Sequence, residues 1–348
     1  MQNEGVSVKL FLNSLKSKET RNSYEILFQK FADFMGKNDL FCGNNPRLIE
    51  QKIIEFIILL RDSGKSYSAI RNYIVPIKSF YKINDILLND TKISKFLPEQ
   101  KRSGRDRAYT YEEISKLLEM ADERMRVIIL LLASSGIRLG ALPLLKLHNL
   151  EDTKLTIYEN HREEYFTFIT PECKKAIDSY LDVRSRYGEK LTNDSFLIRE
   201  QFDIRDQFAA RKPKQITHKS IQWKLITIAE RCGIRKREYA GDRKTSTIRH
   251  DVMIAHDFRK FFTTKLVKAK VNAEVREMLL GHKIGLTSCY FKPTEDEMFT
   301  EYEKAIDLLT INEENRLRKK VEMLTMEASK ADLALSAIED VKKQFGLM

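Results

Sequence analysis

The chain has 348 residues, 42% of them hydrophobic and 32% charged, a composition that builds packed cores and excludes a disordered or collagen-like polypeptide. Its 61 Lys and Arg outnumber 50 Asp and Glu, a net charge of +11 that favours a polyanionic partner, nucleic acid first, although a solvated basic surface would carry the same charge. The four cysteines, Cys42, Cys173, Cys232 and Cys289, form no CxxC pair, which argues against a disulfide framework and a zinc ribbon.

The length favours two domains. The cysteine usage points to a reducing, intracellular setting: cytoplasmic and, with a DNA partner, nucleoid-associated. The N-terminal stretch lacks a basic start followed by an apolar core, so no signal peptide is expected. The longest apolar runs, such as Val127 to Ala133, are too short to cross a bilayer.

Residues 20–35 predict an amphipathic helix, with Tyr24, Leu27, Phe28, Phe31, Phe34 and Met35 at helical spacing, Thr20 as N-cap and Gly36 as stop. A second helix is expected over Ile49–Leu60, ended by Asp62-Ser63-Gly64. A third covers Tyr67–Tyr81, where Pro76 removes one hydrogen bond. Residues 1–97 therefore read as a small helical bundle, made basic by Arg61, Lys65, Arg71 and Lys78. The stretch 98–108 crowds Lys101, Arg102, Arg105 and Arg107 around Pro and Gly, and reads as a basic interdomain linker able to cross a DNA backbone.

A second domain, 109–310, opens with Thr110-Tyr-Glu-Glu113, a capping-box pattern. A buried helix over Met125–Ala133 follows, terminated by Gly136. Arg138 comes next inside an apolar segment. Burying an unpaired guanidinium is expensive, so Arg138 either has an acidic partner or awaits an anion. Lys154–Tyr158 and Tyr165–Ile169 are β-branched and aromatic, and predict a β-hairpin with the polar tip Glu159–Glu164. Thr170-Pro171-Glu172 starts a helix through Ala176, Ile177 and Tyr180. Two loop-rich basic stretches, 199–219 and 231–250, flank a helix containing Trp223, Leu225, Ile226 and Ile228. Lys212 and Lys214 in the first are candidate DNA contacts, as is Arg71 in the bundle. Helices are expected over His256–Val267 and Ala273–Leu280, the latter stopped by Gly281. Capping boxes at Thr294/Glu297 and Thr310/Glu313 begin two more. In the tail, 311–348, the residues Leu317, Val321, Leu324, Ala328, Ala331, Leu335, Ile338, Lys342 and Phe345 alternate steps of four and three, a coiled-coil seam with one charged interruption. The fold class expected is mainly α with a small β-hairpin: a helical bundle, a mixed α+β domain and a coiled-coil-like terminal helix.

Arg138, His256, Arg259, His282 and Tyr290 form a set suited to one reaction. His256 and Arg259 are three apart and share a helix face. A tyrosine attacking a phosphodiester builds negative charge on the nonbridging oxygens. With no acidic metal cage evident in the sequence, that charge falls to planar guanidiniums, whose paired hydrogen bonds match two phosphate oxygens. The phenol, with an ordinary pKa of about 10, needs a base or a strong positive field, and the leaving oxygen needs a proton; histidine serves either need. Each residue alone is weak; their order and spacing are stronger.

Ser134-Ser-Gly-Ile-Arg-Leu-Gly-Ala-Leu142, His256-Asp-Phe-Arg259, Leu279-Leu-Gly-His282 and Tyr290 resemble the motifs of the tyrosine recombinases of the phage integrase type. Tyr165–Glu172 and His282–Tyr290 look most like archaeal integrases, hence an element mobile in archaea. The resemblance covers nearly the whole chain and implies a core-binding domain followed by a catalytic domain. It implies site-specific cleavage and rejoining of double-stranded DNA through a 3′-phosphotyrosine, with Tyr290 as nucleophile, by four protomers on two DNA sites. It implies no cofactor and no metal. The family places a catalytic Lys on the hairpin, whereas here the tip reads Asn160-His161-Arg162-Glu163-Glu164. Lys154, His161 and Arg162 are the candidates for the leaving-group acid. The competing readings are a type IB topoisomerase and a DNA-binding relative with weakened catalysis.

Overall fold

A computed structural model describes residues 2–36, 40–100, 107–203, 205–235, 254–285, 290–314, 316–317, 321, 324–325 and 329–330. The chain divides into two compact units, Met1–Gly104 and Arg105–Met348.

Among the described residues the regular elements of the first unit are helices: α1 Gln2–Ser14, α2 Lys18–Met35, α3 Pro46–Asp62, α4 Tyr67–Ile83 and the short α5 Asp90–Ser94. Neither α1 nor α5 stands out in the sequence as an amphipathic stripe. What recruits α1 is Phe11, wholly buried and ringed by Tyr24, Phe28 and Phe80. The N-cap of α2 is Ser17 rather than Thr20; its hydroxyl accepts from Thr20 N at 3.3 Å. Pro76 lies buried within α4, which continues past it to Ile83. Tyr81 at the centre of this core donates to the Leu40 carbonyl at 2.6 Å. Arg71 is exposed on α4.

The second unit is built around α7, Glu123–Ser135, which is buried along nearly its whole length. An exposed amphipathic stripe is absent because α7 is covered by both α8, Pro171–Arg186, and α11, His256–Lys268. Before it comes α6, Tyr111–Glu119, whose capping box forms: Glu113 N donates to the Thr110 hydroxyl at 3.2 Å, and Thr110 N to the Glu113 carboxylate at 3.0 Å. After α7, Gly136 takes φ +61°, and a Cβ there would meet Phe262 Cδ1 at less than normal contact distance, so only glycine fits.

The predicted hairpin is part of a three-stranded antiparallel meander, β1 Leu150–Glu151, β2 Lys154–Ile157 and β3 Tyr165–Phe168. Register pairs Lys154 with Phe168 and Ile157 with Tyr165. Next come α9 Gln207–Arg211, α10 His218–Arg231, α12 Ala273–Leu279, α13 Glu295–Glu303 and α14 Ile306–Leu309. The helix holding Trp223 forms, but the indole itself is 61% exposed while Leu225 and Ile228 face the core. The Thr294/Glu297 capping box forms; the Thr310/Glu313 one does not. Thr310 instead turns its hydroxyl back to the Ile306 carbonyl, and the backbone N–H groups of Ile311 and Asn312 are taken by the Glu172 carboxylate at 2.7 and 2.9 Å. A carboxylate brought by α8 wins because it is charged and already placed.

One ionic cluster is buried here. Glu189 accepts from Arg184 Nε at 3.0 Å and from Arg199 Nη1 at 2.8 Å, and both guanidiniums also donate to backbone carbonyls, including Phe196 and Ala210. Burial raises the proton affinity of Glu189, and the two arginines more than offset it, leaving its pKa below the ordinary glutamate value. In the tail, Leu317, Val321 and Leu324 of the seam are exposed; the later seam positions lie outside the described residues. No helix among the described residues is long and apolar enough to cross a membrane.

Candidate active site

The site forms where three chain reversals meet. Gly136 ends α7 and hands the chain to Arg138, which precedes a 3-10 turn, Leu139–Leu144. Arg138 is exposed rather than buried, and among the described residues no ion pair to it forms. Exposure removes the cost that framed the two outcomes expected from its sequence position, because water can solvate the guanidinium.

His256 is the first residue of α11 and is exposed; Arg259, one turn on, is 8% exposed. The Arg259 fork is fixed by backbone. Nη1 donates to the Gly136 carbonyl at 2.8 Å and Nη2 to the Leu280 carbonyl at 2.5 Å. Nη2 also lies 2.8 Å from His282 Nε2. Burial, then repulsion from Arg138, lowers the pKa of Arg259 from its ordinary value, a sign that the two guanidiniums feel each other's charge. Such like charges crowd together at a cost that an anion between them would relieve.

His282 reaches this point through the end of α12. Gly281, with φ +64°, lets His282 N donate to the Glu277 carbonyl at 2.9 Å and Gly281 N to the Met278 carbonyl at 2.8 Å. A Cβ on Gly281 would fall 2.5 Å from the Tyr165 ring of β3, so glycine is also required for the helix end to sit against the sheet. The His282 Nδ1 lies 2.6 Å from the Glu277 carboxylate.

Arg138, His282, Lys154, Arg162 and Tyr165 line one cleft of about 1030 Å³, together with Phe291, Lys292 and Pro293. Burial raises the pKa of Tyr165, and the nearby Arg259 and Arg138 oppose that rise; its hydroxyl is buried beside Arg259 without a hydrogen bond of good geometry. Of the three candidates for the leaving-group acid, Lys154 and Arg162 line the cleft, while His161 sits at the tip, where its Nδ1 accepts from Glu163 N at 3.3 Å. Lys154 Nζ is 2.7 Å from Glu295 of α13, and this hydrogen bond raises its pKa.

Tyr290 is not drawn into the cleft. Its ring is 91% exposed, although the residues directly after it line the cleft. Of the candidate DNA contacts, Lys212 and Lys214 are exposed. Arg107 is engaged by its own unit, donating through Nη1 and Nη2 to the Glu113 carboxylate at 2.8 and 2.5 Å. Lys101, Arg102, Arg105 and the basic run 236–250 lie outside the described residues. Sequence reasoning passed over Tyr165 and Glu277. A signal for Glu277 was there: an acid five residues before His282 with glycine between them.

Residues 107–297 match the phage integrase family. The tyrosine recombinase XerC of Leptospira interrogans is 24% identical over 86% of this chain and 92% of its own length. The tyrosine recombinase XerA of Pyrococcus horikoshii is 24% identical over 85% of this chain and 90% of its own, so bacterial and archaeal relatives are equally similar. Among solved structures, a lambda integrase tetramer bound to a Holliday junction has the same fold, with a TM-score of 0.57 at 13% identity, covering 83% of this chain and 76% of that one. Of the five candidate catalytic residues Arg138 and His282 line the cleft, Arg259 bonds His282, and His256 and Tyr290 do not line it; with more than half its length matched, the chain belongs to the phage integrase family, the tyrosine recombinases.

Proposed function

We propose that this protein cuts and rejoins double-stranded DNA at specific sites, with Tyr290 as nucleophile. The observation that carries the reading is the approach of two guanidiniums to His282: Arg138 lines the same cleft as His282, and Arg259, locked by carbonyls, lies 2.8 Å from its Nε2. Tyr290 Oη attacks phosphorus, the phenol proton passes to a base, the P–O5′ bond breaks and the 5′ oxygen takes a proton. A 3′-phosphotyrosine and a free 5′-hydroxyl result, and a partner strand's hydroxyl reverses the step. Arg138 and Arg259 bind the nonbridging oxygens as their charge grows, and their fixed orientation avoids reorganisation at that moment. His256 and His282 are the proton carriers. Lys154 supplies the leaving-group proton, since an ammonium gives one up far more readily than the Arg162 guanidinium; it must first part from Glu295.

The 91% exposure of Tyr290 suits a nucleophile that meets the phosphate only once DNA is bound, in its own cleft or a neighbour's. Four protomers on two sites, inside the cell where the DNA lies, is the assembly this reading implies. The test is a suicide DNA substrate followed by mass spectrometry of the trapped peptide. An adduct on Tyr290, absent from Tyr290→Phe while DNA binding persists, is expected; an adduct surviving in Tyr290→Phe sinks the reading. Relaxation of plasmid lacking any target site would favour a topoisomerase instead.

A further inference from the structure

We infer that Glu277 is a positioning residue that sets which nitrogen of His282 faces the scissile phosphate; this rests on the function proposed above. The argument is one of donors and acceptors. Arg259 Nη2 can only donate, so His282 Nε2, 2.8 Å away, must present its lone pair. The imidazole proton then lies on Nδ1, which donates to Glu277 Oε2 at 2.6 Å, and an ionised carboxylate can only accept. Both neighbours thus select the same tautomer, from opposite sides of the ring.

The helix end builds this arrangement. In the reversal at the end of α12, the residue after the glycine bonds the carbonyl five back, and the side chains of those two positions meet; at such helix ends that pair is frequently apolar. Here it is Glu277 and His282, joined by both His282 N to Glu277 O at 2.9 Å and the side-chain pair. Gly281 sets the reversal, the reversal sets the pair, and the pair sets the ring. Glu277 is bonded to the Nδ1 side of the ring, away from the Nε2 that meets Arg259, so it acts on the site through His282. When DNA enters, the phosphate competes for Arg259 Nη2, and Nε2 is left beside it with its lone pair free to take the proton of the attacking phenol.

The test is histidine-selective 15N labelling of the full chain, which holds six histidines, with His282 assigned by His282→Gln. In the DNA-free wild type, the His282 spectrum should show the Nδ1–H tautomer. In Glu277→Ala, which keeps a good helix former in α12, the signal should move toward the Nε2–H form. Glu277→Gln, whose side-chain carbonyl still accepts from Nδ1–H, should keep most of the wild-type signal. On the suicide substrate, Glu277→Ala should form adduct roughly ten- to a hundredfold more slowly, by analogy with the loss seen when the carboxylate behind a metal-bound imidazole is removed, with unchanged DNA affinity and partial rescue by Glu277→Gln. An Nε2–H tautomer in the wild type, or a tautomer indifferent to Glu277→Ala, overturns the inference. The spectra need no DNA, so a wild type that forms no adduct would count against the proposed function while the tautomer comparison still decided this point.

Discussion

Replacing Gly136 with alanine tests the packing beneath the site. The new Cβ would lie 2.7 Å from Phe262 Cγ and 3.1 Å from Phe262 Cβ. These atoms are at the root of a wholly buried side chain, so the ring cannot swing clear; α7 and α11 must part instead. The residue also sits at φ +61°, where an L side chain costs roughly 1 kcal/mol. Overpacking a filled core adds roughly 1–3 kcal/mol. The sum, about 3 kcal/mol, should lower the melting temperature of a domain this size by about 10 °C. Gly140→Ala, four residues on, is the control: nothing lies within 4 Å of its Cβ, and a change within about 0.5 kcal/mol is expected. The single tryptophan, Trp223, lies in the second unit, so its fluorescence during urea unfolding reports that unit. Because the Gly136 carbonyl fixes Arg259, adduct formation in Gly136→Ala should fall even at temperatures where the protein stays folded. Equal stabilities for the two variants would refute the reasoning.

Glu189→Gln removes the charge that Arg184 and Arg199 share, and should cost about 3–5 kcal/mol, as uncompensated buried charges do. Because the folded carboxyl binds protons less readily than the unfolded one, its contribution is complete above the ordinary glutamate range and fades as pH falls toward the lowered value. The acid limb of a stability-versus-pH curve should therefore flatten in Glu189→Gln, and an unchanged limb would clear this carboxylate of the role. Arg138→Lys should slow adduct formation about a hundredfold, since an ammonium cannot make the two-pronged contact; near-normal rates would remove Arg138 from the chemistry. DNA affinity should fall steeply with salt, and the double change Lys212→Ala and Lys214→Ala should reduce the log–log slope by about 2 if both touch phosphate. An unaltered slope would place DNA elsewhere.

Much was legible in the sequence because it depended on local physics. Helical spacing marked α2, α3 and α4, the Thr110/Glu113 pattern started α6, and Gly136 and Gly281 stopped their helices. The motifs around Arg138, His256, Arg259 and His282 were likewise contiguous. What stayed hidden depended on distant partners. Nothing local says that Glu172 would cap the turn at Ile311 in place of Thr310, or that Arg107 would fold onto Glu113. Nor does it say that Lys154 would meet Glu295.

The sequence by itself determined the mainly helical fold class and the hairpin, since side-chain identity and periodicity fix donors, acceptors and apolar faces. Tertiary structure alone decided orientation. Arg259 is aimed by carbonyls more than a hundred residues upstream and 21 residues downstream, and Arg138 meets no carboxylate among the described residues. Both follow because a guanidinium points wherever the folded backbone offers oxygen, and no single segment holds that information.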